Sequence, residues 1–406
     1  MRRISPFKTF SVSGEASHQI LTLFAVIAGI YAIGTVGYYI SGLHGSFPFP
    51  QDQAGYVLGR VFLNTWFYGK AAFLSDPGRF YDHDVYARWI NEGVPQDASG
   101  HVWSYPPSFL FIAAPFGLLS YPVALAVWTG TGLTALYAVV RNHALQTIAI
   151  LGSPAALFCL IDGQVSFFMA AITLTALRNL DRRPILSGLL VALCTIKPQT
   201  GLLFPVLLIA SRRWRVLAAA VLGTAAIVLA SSLLWGFDIW RDYVHIGLPA
   251  QIADTKETHE GLTPWSPTMM TAMIMAGLEP NLATAIQLAF TGLAAIFVTI
   301  GCARGPMNER RTALFLACSV FAAPYLLAHD LVALTAAVVM LAAAQSLDRW
   351  GSLAVKAVFL LPLLQFAAGV AHVPGAAAIP VCFAFWALRQ RDAMPAAPMQ
   401  AAAIAP

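Results

Sequence analysis

Lys197 stands in Leu193-Cys-Thr-Ile-Lys-Pro-Gln-Thr200, with apolar sequence on both sides. An ionisable side chain at such depth costs ~2.5–3.5 kcal/mol on insertion scales, which makes it a functional position by default. Pro198 stops a straight helix from running through, and Gln199 adds a second polar group. The plain alternative is a lysine snorkelling at a helix end. His329 and Asp330, in Pro324-Tyr-Leu-Leu-Ala-His-Asp-Leu331, again lie between two apolar runs. A histidine gives or takes a proton near neutrality, and a neighbouring aspartate can hold its tautomer or bind a substrate hydroxyl. Taken alone, the pair reads better as a cap between two helices; in company with Lys197 on the same face it reads as functional. Asp162-Gly163-Gln164 interrupts a further apolar hairpin and by itself is a turn; Tyr105-Pro106-Pro107 stiffens the return of a loop. Together these groups suit proton transfer and anion binding.

The elements that carry them are set by composition. The 406-residue chain is 58% hydrophobic and 11% charged, with mean hydropathy +0.69. No soluble domain can cover its surface with so few charges, so the sequence predicts an all-α polytopic membrane protein with ten to twelve crossings. The formal charge of +5 sits in short connections, as cytoplasmic loops require, and carries no sign of nucleic-acid binding. Ile20–Ile40 follows Arg2, Arg3 and Lys8 and is long enough to span ~30 Å of hydrocarbon as a retained anchor with its N-terminus cytoplasmic. Cys159, Cys194, Cys302, Cys318 and Cys382 fall in apolar runs with no CxxC spacing, which fits small core residues.

Between that anchor and Ser108 lies a polar, aromatic stretch, residues 42–107, with Asp52, Asp76, Asp82, Asp84, Glu92 and Asp97 among Trp66, Tyr68, Tyr81 and Tyr86. Loops beyond ~12–15 residues are usually functional or disordered, and the aromatic content here argues for order. A second outer loop, 236–266, holds Trp240, Tyr243, His245 and His259 and is expected to rest on the bilayer surface. The clusters Arg178/Arg182/Arg183, Arg212/Arg213/Arg215, Arg304/Arg310/Arg311, Arg349/Lys356 and Arg389/Arg391 all assign to the cytoplasm. That brings Lys197, His329-Asp330 and residues 373–375 to the same side as the two loops. Residues 108–177 hold four apolar pieces, one more than this parity allows, and a broken or re-entrant element around Asp162-Gly163-Gln164 is the expected resolution. One domain spans residues 1–393; 394–406 reads as a disordered tail.

No GxxxxGK[ST], GxGxxG or HExxH occurs, so nucleotide hydrolysis and zinc chemistry have no motif here. A substrate that carries its own activation is favoured.

The order Tyr105-Pro-Pro, Gly163-Gln164, Ile196-Lys-Pro-Gln199 followed by Arg212-Arg-Trp-Arg215, and Pro324 with His329-Asp330 resembles glycosyltransferase family 87, over residues 55 to 345. These are GT-C type enzymes that use polyprenyl-phosphate sugars, mannosyltransferases among them. The resemblance implies an inverting transfer at the outer face, from a lipid-phosphate sugar to a glycolipid or glycan hydroxyl, in a bacterial inner membrane. It implies neither metal nor cofactor, and a monomer with lipid, donor and acceptor as its partners. It also implies a catalytic acid at the head of the segment Val61-Phe-Leu-Asn-Thr-Trp66, where this chain has valine. Asp52, nine residues earlier, is the expected substitute base, with Asp84 behind it. His329 is expected to share catalysis. Lys197 is expected to contact the donor phosphate as a compact point charge, and Gln199, Gln164, Asp330, Tyr105 and Asn64 to contact substrate. Two further readings remain open: a secondary transporter with Lys197, His329 and Asp330 at a midplane site, and a silent homologue acting as a partner subunit.

Overall fold

A computed structural model describes residues 14–42, 49–52, 55–94, 101–254 and 263–390. The tail from residue 394, together with Asp97, Lys256, His259 and the basic N-terminus, lies outside the described residues. The helices run, in order, α1 Glu15–Gly42, α2 Arg60–Ala71, α3 His83–Gly93, α4 Leu110–Gly117, α5 Tyr121–Val140, α6 Ala144–Leu151, α7 Pro154–Asp162, α8 Ser166–Asn179, α9 Pro184–Ala192 and α10 Pro198–Gly201. They continue with α11 Phe204–Ala210, α12 Trp214–Trp235, α13 Asp238–Asp242, α14 Leu248–Asp254, α15 Met269–Met275, α16 Pro280–Cys302, α17 Glu309–Ala322, α18 Val332–Ala344, α19 Arg349–Val370 and α20 Ala378–Arg389. No strand occurs among the described residues. The protein is an all-α, multi-pass membrane protein.

Five helices (α1, α5, α12, α16, α19) are each long and apolar enough to cross a membrane, and α6 with α7 makes a sixth span bent by 48°. The remaining apolar segments are shorter pieces of 10–17 residues, because Pro184, Pro198 and the 3-10 turns at Leu193–Ile196 and Ala328–Leu331 interrupt them. The core is α17 and α18, apolar and buried almost all round, as a helix must be when enclosed by others. By contrast α12 and α16 turn large apolar side chains outward, Leu222, Leu233, Leu288 and Ile300 among them, as a lipid-facing helix does.

The bundle has two chemically distinct ends. At one, Arg213 pairs with Asp181 at 2.9 Å and donates to the Gly305 carbonyl at 3.1 Å. There too Arg178 donates to Val139, and Arg310 to Ala387 at 2.8 Å. At the other end lie the starts of α5, α8 and α18 and the ends of α7 and α12.

The described parts of residues 42–107 are built across this second end. Tyr121, opening α5, donates to the carbonyls of Leu58 and Gly59, just ahead of α2. Trp235, closing α12, donates to Ala72 just past it at 2.9 Å. So α2 bridges two spans, and α4 lies along it where Gly69 and Gly117 touch backbone to backbone; a Cβ on Gly117 would fall 2.2 Å from the Gly69 carbonyl carbon. Small residues are what permit such an approach. This corrects the expectation that the odd apolar piece is the one around Asp162-Gly163-Gln164. The odd piece is the short α4, packed along α2, and the break in the α6–α7 span comes at Gly152–Ser153, where Pro154 begins α7 and Ser153 caps it.

Around α2 the aromatic residues close into one cluster. Tyr68 packs on Trp103 at 4.0 Å and Phe80 on Trp89 at 4.2 Å. Tyr68 donates to Val102 at 2.8 Å and Tyr81 to the Tyr105 carbonyl at 2.9 Å. Burial holds the Tyr68, Tyr81 and Tyr86 phenols well above their ordinary value, so they act here as neutral donors. Of the second loop, the stretch 239–248 also packs onto this cluster, with Tyr243 5.5 Å from Tyr81 and Gly247 against the same ring. The second loop therefore docks on the first, a contact beyond the bilayer-surface role expected of it. Four cysteines are buried and Cys382 is exposed, all as free thiols.

Candidate active site

Three connections at the second end converge. The first is the turn between α7 and α8. Gly163 takes a left-handed conformation (φ 64°, ψ 39°) and ends α7, a role glycine fills without a Cβ penalty. Its carbonyl accepts from Trp128 Nε1 at 2.9 Å, and the Gln164 N–H donates to Cys159 at 3.0 Å. A Cβ at Gly163 would stand 2.6 Å from the Phe62 Cβ, so α2 packs directly onto this turn. The second connection is Lys197, non-helical (φ −137°, ψ 79°) between the 3-10 turn at Leu193–Ile196 and α10. The third is the 3-10 turn Ala328–Leu331, which carries His329 and Asp330 between the two most buried helices.

At their meeting point the Lys197 ammonium rests on Asp330 Oδ1. Ser166 Oγ donates to the same oxygen at 2.6 Å, and the Leu327 N–H donates to Oδ2 at 3.2 Å. The Asp330 side chain is 1% exposed and that of Lys197 6%. Two charges so deeply desolvated persist only because each is paired and hydrogen-bonded. His329 turns the other way, with Nδ1 3.2 Å from Asp162 Oδ2. Its Nε2 is buried, 3.9 Å from Asp330 Oδ2, and has no hydrogen-bond partner among the described residues. Tyr105 stacks on Phe109 at 4.2 Å and donates to Gln164 Oε1 at 3.3 Å, which closes the cluster on the loop side.

Of the residues expected from sequence, Lys197, His329, Asp330, Gln164 and Tyr105 are brought together, and half-buried Gln199 follows two residues after Lys197. Asn64 and Asp52 have other partners. Asn64 accepts from Tyr86 at 2.9 Å and ties α3 to α2. Asp52 pairs with Arg60 at 2.8 Å and accepts the Tyr56 N–H at 3.0 Å, which fixes the turn before α2. Two members of the cluster were missed. Asp162 reads in sequence as part of a turn, and nothing in the sequence singles out Ser166. Asp162 closes α7 and Ser166 opens α8, so the two flank the Gly163 turn. Among the described residues no three His, Cys, Asp or Glu side chains are grouped to hold a metal ion.

Beside Lys197 opens a groove of about 880 Å³ between α9, α10, α11 and α12. Thr195 and Pro198, on either side of Lys197, belong to its wall, and Leu217 and Val228 carry it along α12 to Trp240 on α13. It is almost wholly hydrocarbon.

The sequence model of glycosyltransferase family 87 matches residues 103–329, more than half of the chain. The chain belongs to glycosyltransferase family 87. No curated protein and no solved structure matches it. The family 87 match takes in Tyr105, Asp162, Gln164, Lys197 and His329 and begins after Val61. Membership favours sugar transfer over the transporter reading.

Proposed function

We propose that this family 87 protein transfers a sugar, mannose or a similar one, from a polyprenyl-phosphate donor to a hydroxyl of a glycolipid or glycan, with inversion, at the periplasmic side of a bacterial inner membrane. The observation that carries this reading is a buried Lys-Asp-His-Asp cluster at the head of an apolar groove. A lipid chain in the groove sets its phosphate beside Lys197, and an ammonium with three N–H donors, one on Asp330, can turn the others to phosphate oxygens. In a site this dry, a fixed positive charge stabilises the departing phosphate far more than it does in water. The donor carries its own leaving group, so the reading calls for no cofactor. The side assignment is supported by the arginines gathered at the opposite end of the bundle.

The test is transfer by the purified full chain in lipid nanodiscs, from radiolabelled polyprenyl-phosphate sugars to an envelope lipid extract. Transfer that is lost in Lys197→Ala is expected. A chain that consumes no polyprenyl-phosphate sugar under any acceptor condition is instead a silent partner subunit.

A further inference from the structure

We propose that Asp162 is the carboxylate that takes the acceptor's proton, held in register by His329; this rests on the transfer reading above. A base needs an oxygen that a hydroxyl can reach, and the carboxylates near the site differ in this respect. Asp330 is 1% exposed, with both oxygens engaged by Lys197, Ser166 and the Leu327 N–H. Asp52 is 5% exposed and occupied by Arg60 and the Tyr56 N–H. Asp162 is 29% exposed, and His329 engages its Oδ2 alone of the two oxygens.

Asp162 is also aimed. The turn that carries it is pinned by Trp128 on the Gly163 carbonyl and by the Gln164 N–H on Cys159. On its far side Phe62 packs onto Gly163, so the first turn of α2, which also carries Val61, meets this turn through the Phe62 side chain. The carboxylate lies on the α7 side of that contact and the valine on the α2 side.

In the step itself the acceptor O–H bond breaks and its proton passes to Asp162 Oδ1. The oxygen lone pair forms the bond to the anomeric carbon. The bond from that carbon to the phosphate oxygen breaks on the opposite face, and its electron pair leaves with the lipid phosphate beside Lys197. The proton then departs to water from the exposed edge of Asp162. His329 touches neither reacting oxygen; with Nδ1 on Oδ2 it is a positioning residue.

The experiment uses the full chain in nanodiscs with a polyprenyl-phosphate sugar donor. Asp162→Asn is expected to lower kcat about 100-fold or more, the usual reach of general base catalysis, with donor KM and melting temperature little changed. Adding Val61→Asp to Asp162→Asn is expected to restore at least part of the loss. His329→Gln is expected to lower kcat less and to shift the pH–rate profile, which a merely structural histidine leaves in place. A second measurement needs no folded variant: labelling of the wild-type chain with a hydrophobic carbodiimide is expected to modify Asp162 and to slow when acceptor is present. Transfer at the wild-type rate in Asp162→Asn overturns the assignment, as does carbodiimide labelling of Asp162 that acceptor leaves unaffected. Transfer that survives in Asp162→Asn and vanishes in Asp52→Asn overturns it in favour of Asp52. A wild-type chain with no transfer removes the underlying reading, whereas a wild-type chain matched by Asp162→Asn removes only the role of Asp162.

Discussion

Lys197 and Asp330, 133 residues apart in the chain, form an ion pair that is almost wholly shut off from solvent. Removing one partner of such a pair strands the other, at a cost of roughly 3–5 kcal/mol, whereas replacing both by apolar groups is often neutral. Asp330→Leu and Lys197→Met are each expected to lower the melting temperature markedly, and the double variant to recover most of it without regaining transfer. Thermal unfolding in detergent reads the first effect and the sugar assay the second. A double variant no more stable than either single one contradicts the pairing.

The backbone crossing of Gly69 and Gly117 predicts that α2 and α4 tolerate no side chain there. Gly69→Ala and Gly117→Ala are each expected to cost about 1–3 kcal/mol, the range for overpacking, and to lower transfer because α2 forms the wall behind the Asp162 turn. Gly130→Ala, on a face of α5 with nothing within 4 Å, provides the control and is expected to melt no lower than wild type. Equal effects at all three positions contradict the crossing.

The groove beside Lys197 predicts a dependence on donor chain length. Thr224→Trp fills part of its wall. Displacing about two buried methylenes, at ~0.8 kcal/mol each, raises the KM for a long-chain donor about tenfold. A donor cut to two isoprene units is expected to be little affected. If both donors lose affinity alike, the groove does not hold the lipid chain.

His101, at the edge of the aromatic cluster, is held below the ordinary histidine value of 6.5 by burial. The unfolded chain therefore binds a proton there that the folded chain resists. The contribution to stability is complete above pH 6.5 and declines as pH falls through the folded value. Melting temperatures between pH 7.5 and 5 are expected to fall less steeply for His101→Gln than for wild type; identical slopes contradict this.

Much of this was legible in the sequence for a simple reason. Lys197 and His329-Asp330 are costly in hydrocarbon, so each announces itself without a partner. Their pairing did not. The bond from Lys197 to Asp330 joins the α9–α10 connection to the α17–α18 connection, and no local pattern encodes which connections meet. Asp162 sits beside a glycine and an amide, a context any turn shares, so its contact with His329 is purely tertiary. Asp52 drew notice as an acid near the expected position, but Arg60, eight residues on, engages it locally. The bridging course of α2 was hidden as well, since Gly69 and Gly117 matter only where they face each other.

Gly163 makes neighbours of two departments of the molecule. Because it alone bends left-handed between Asp162 and Gln164, the side chains before and after it leave in divergent directions, one toward His329 and one toward Tyr105. Phe62 leans on the pivot itself. Any sliding of α2 over the bundle is thereby felt at once by the acid and by the amide, so a substrate that shifts α2 on arrival would set both groups in a single movement.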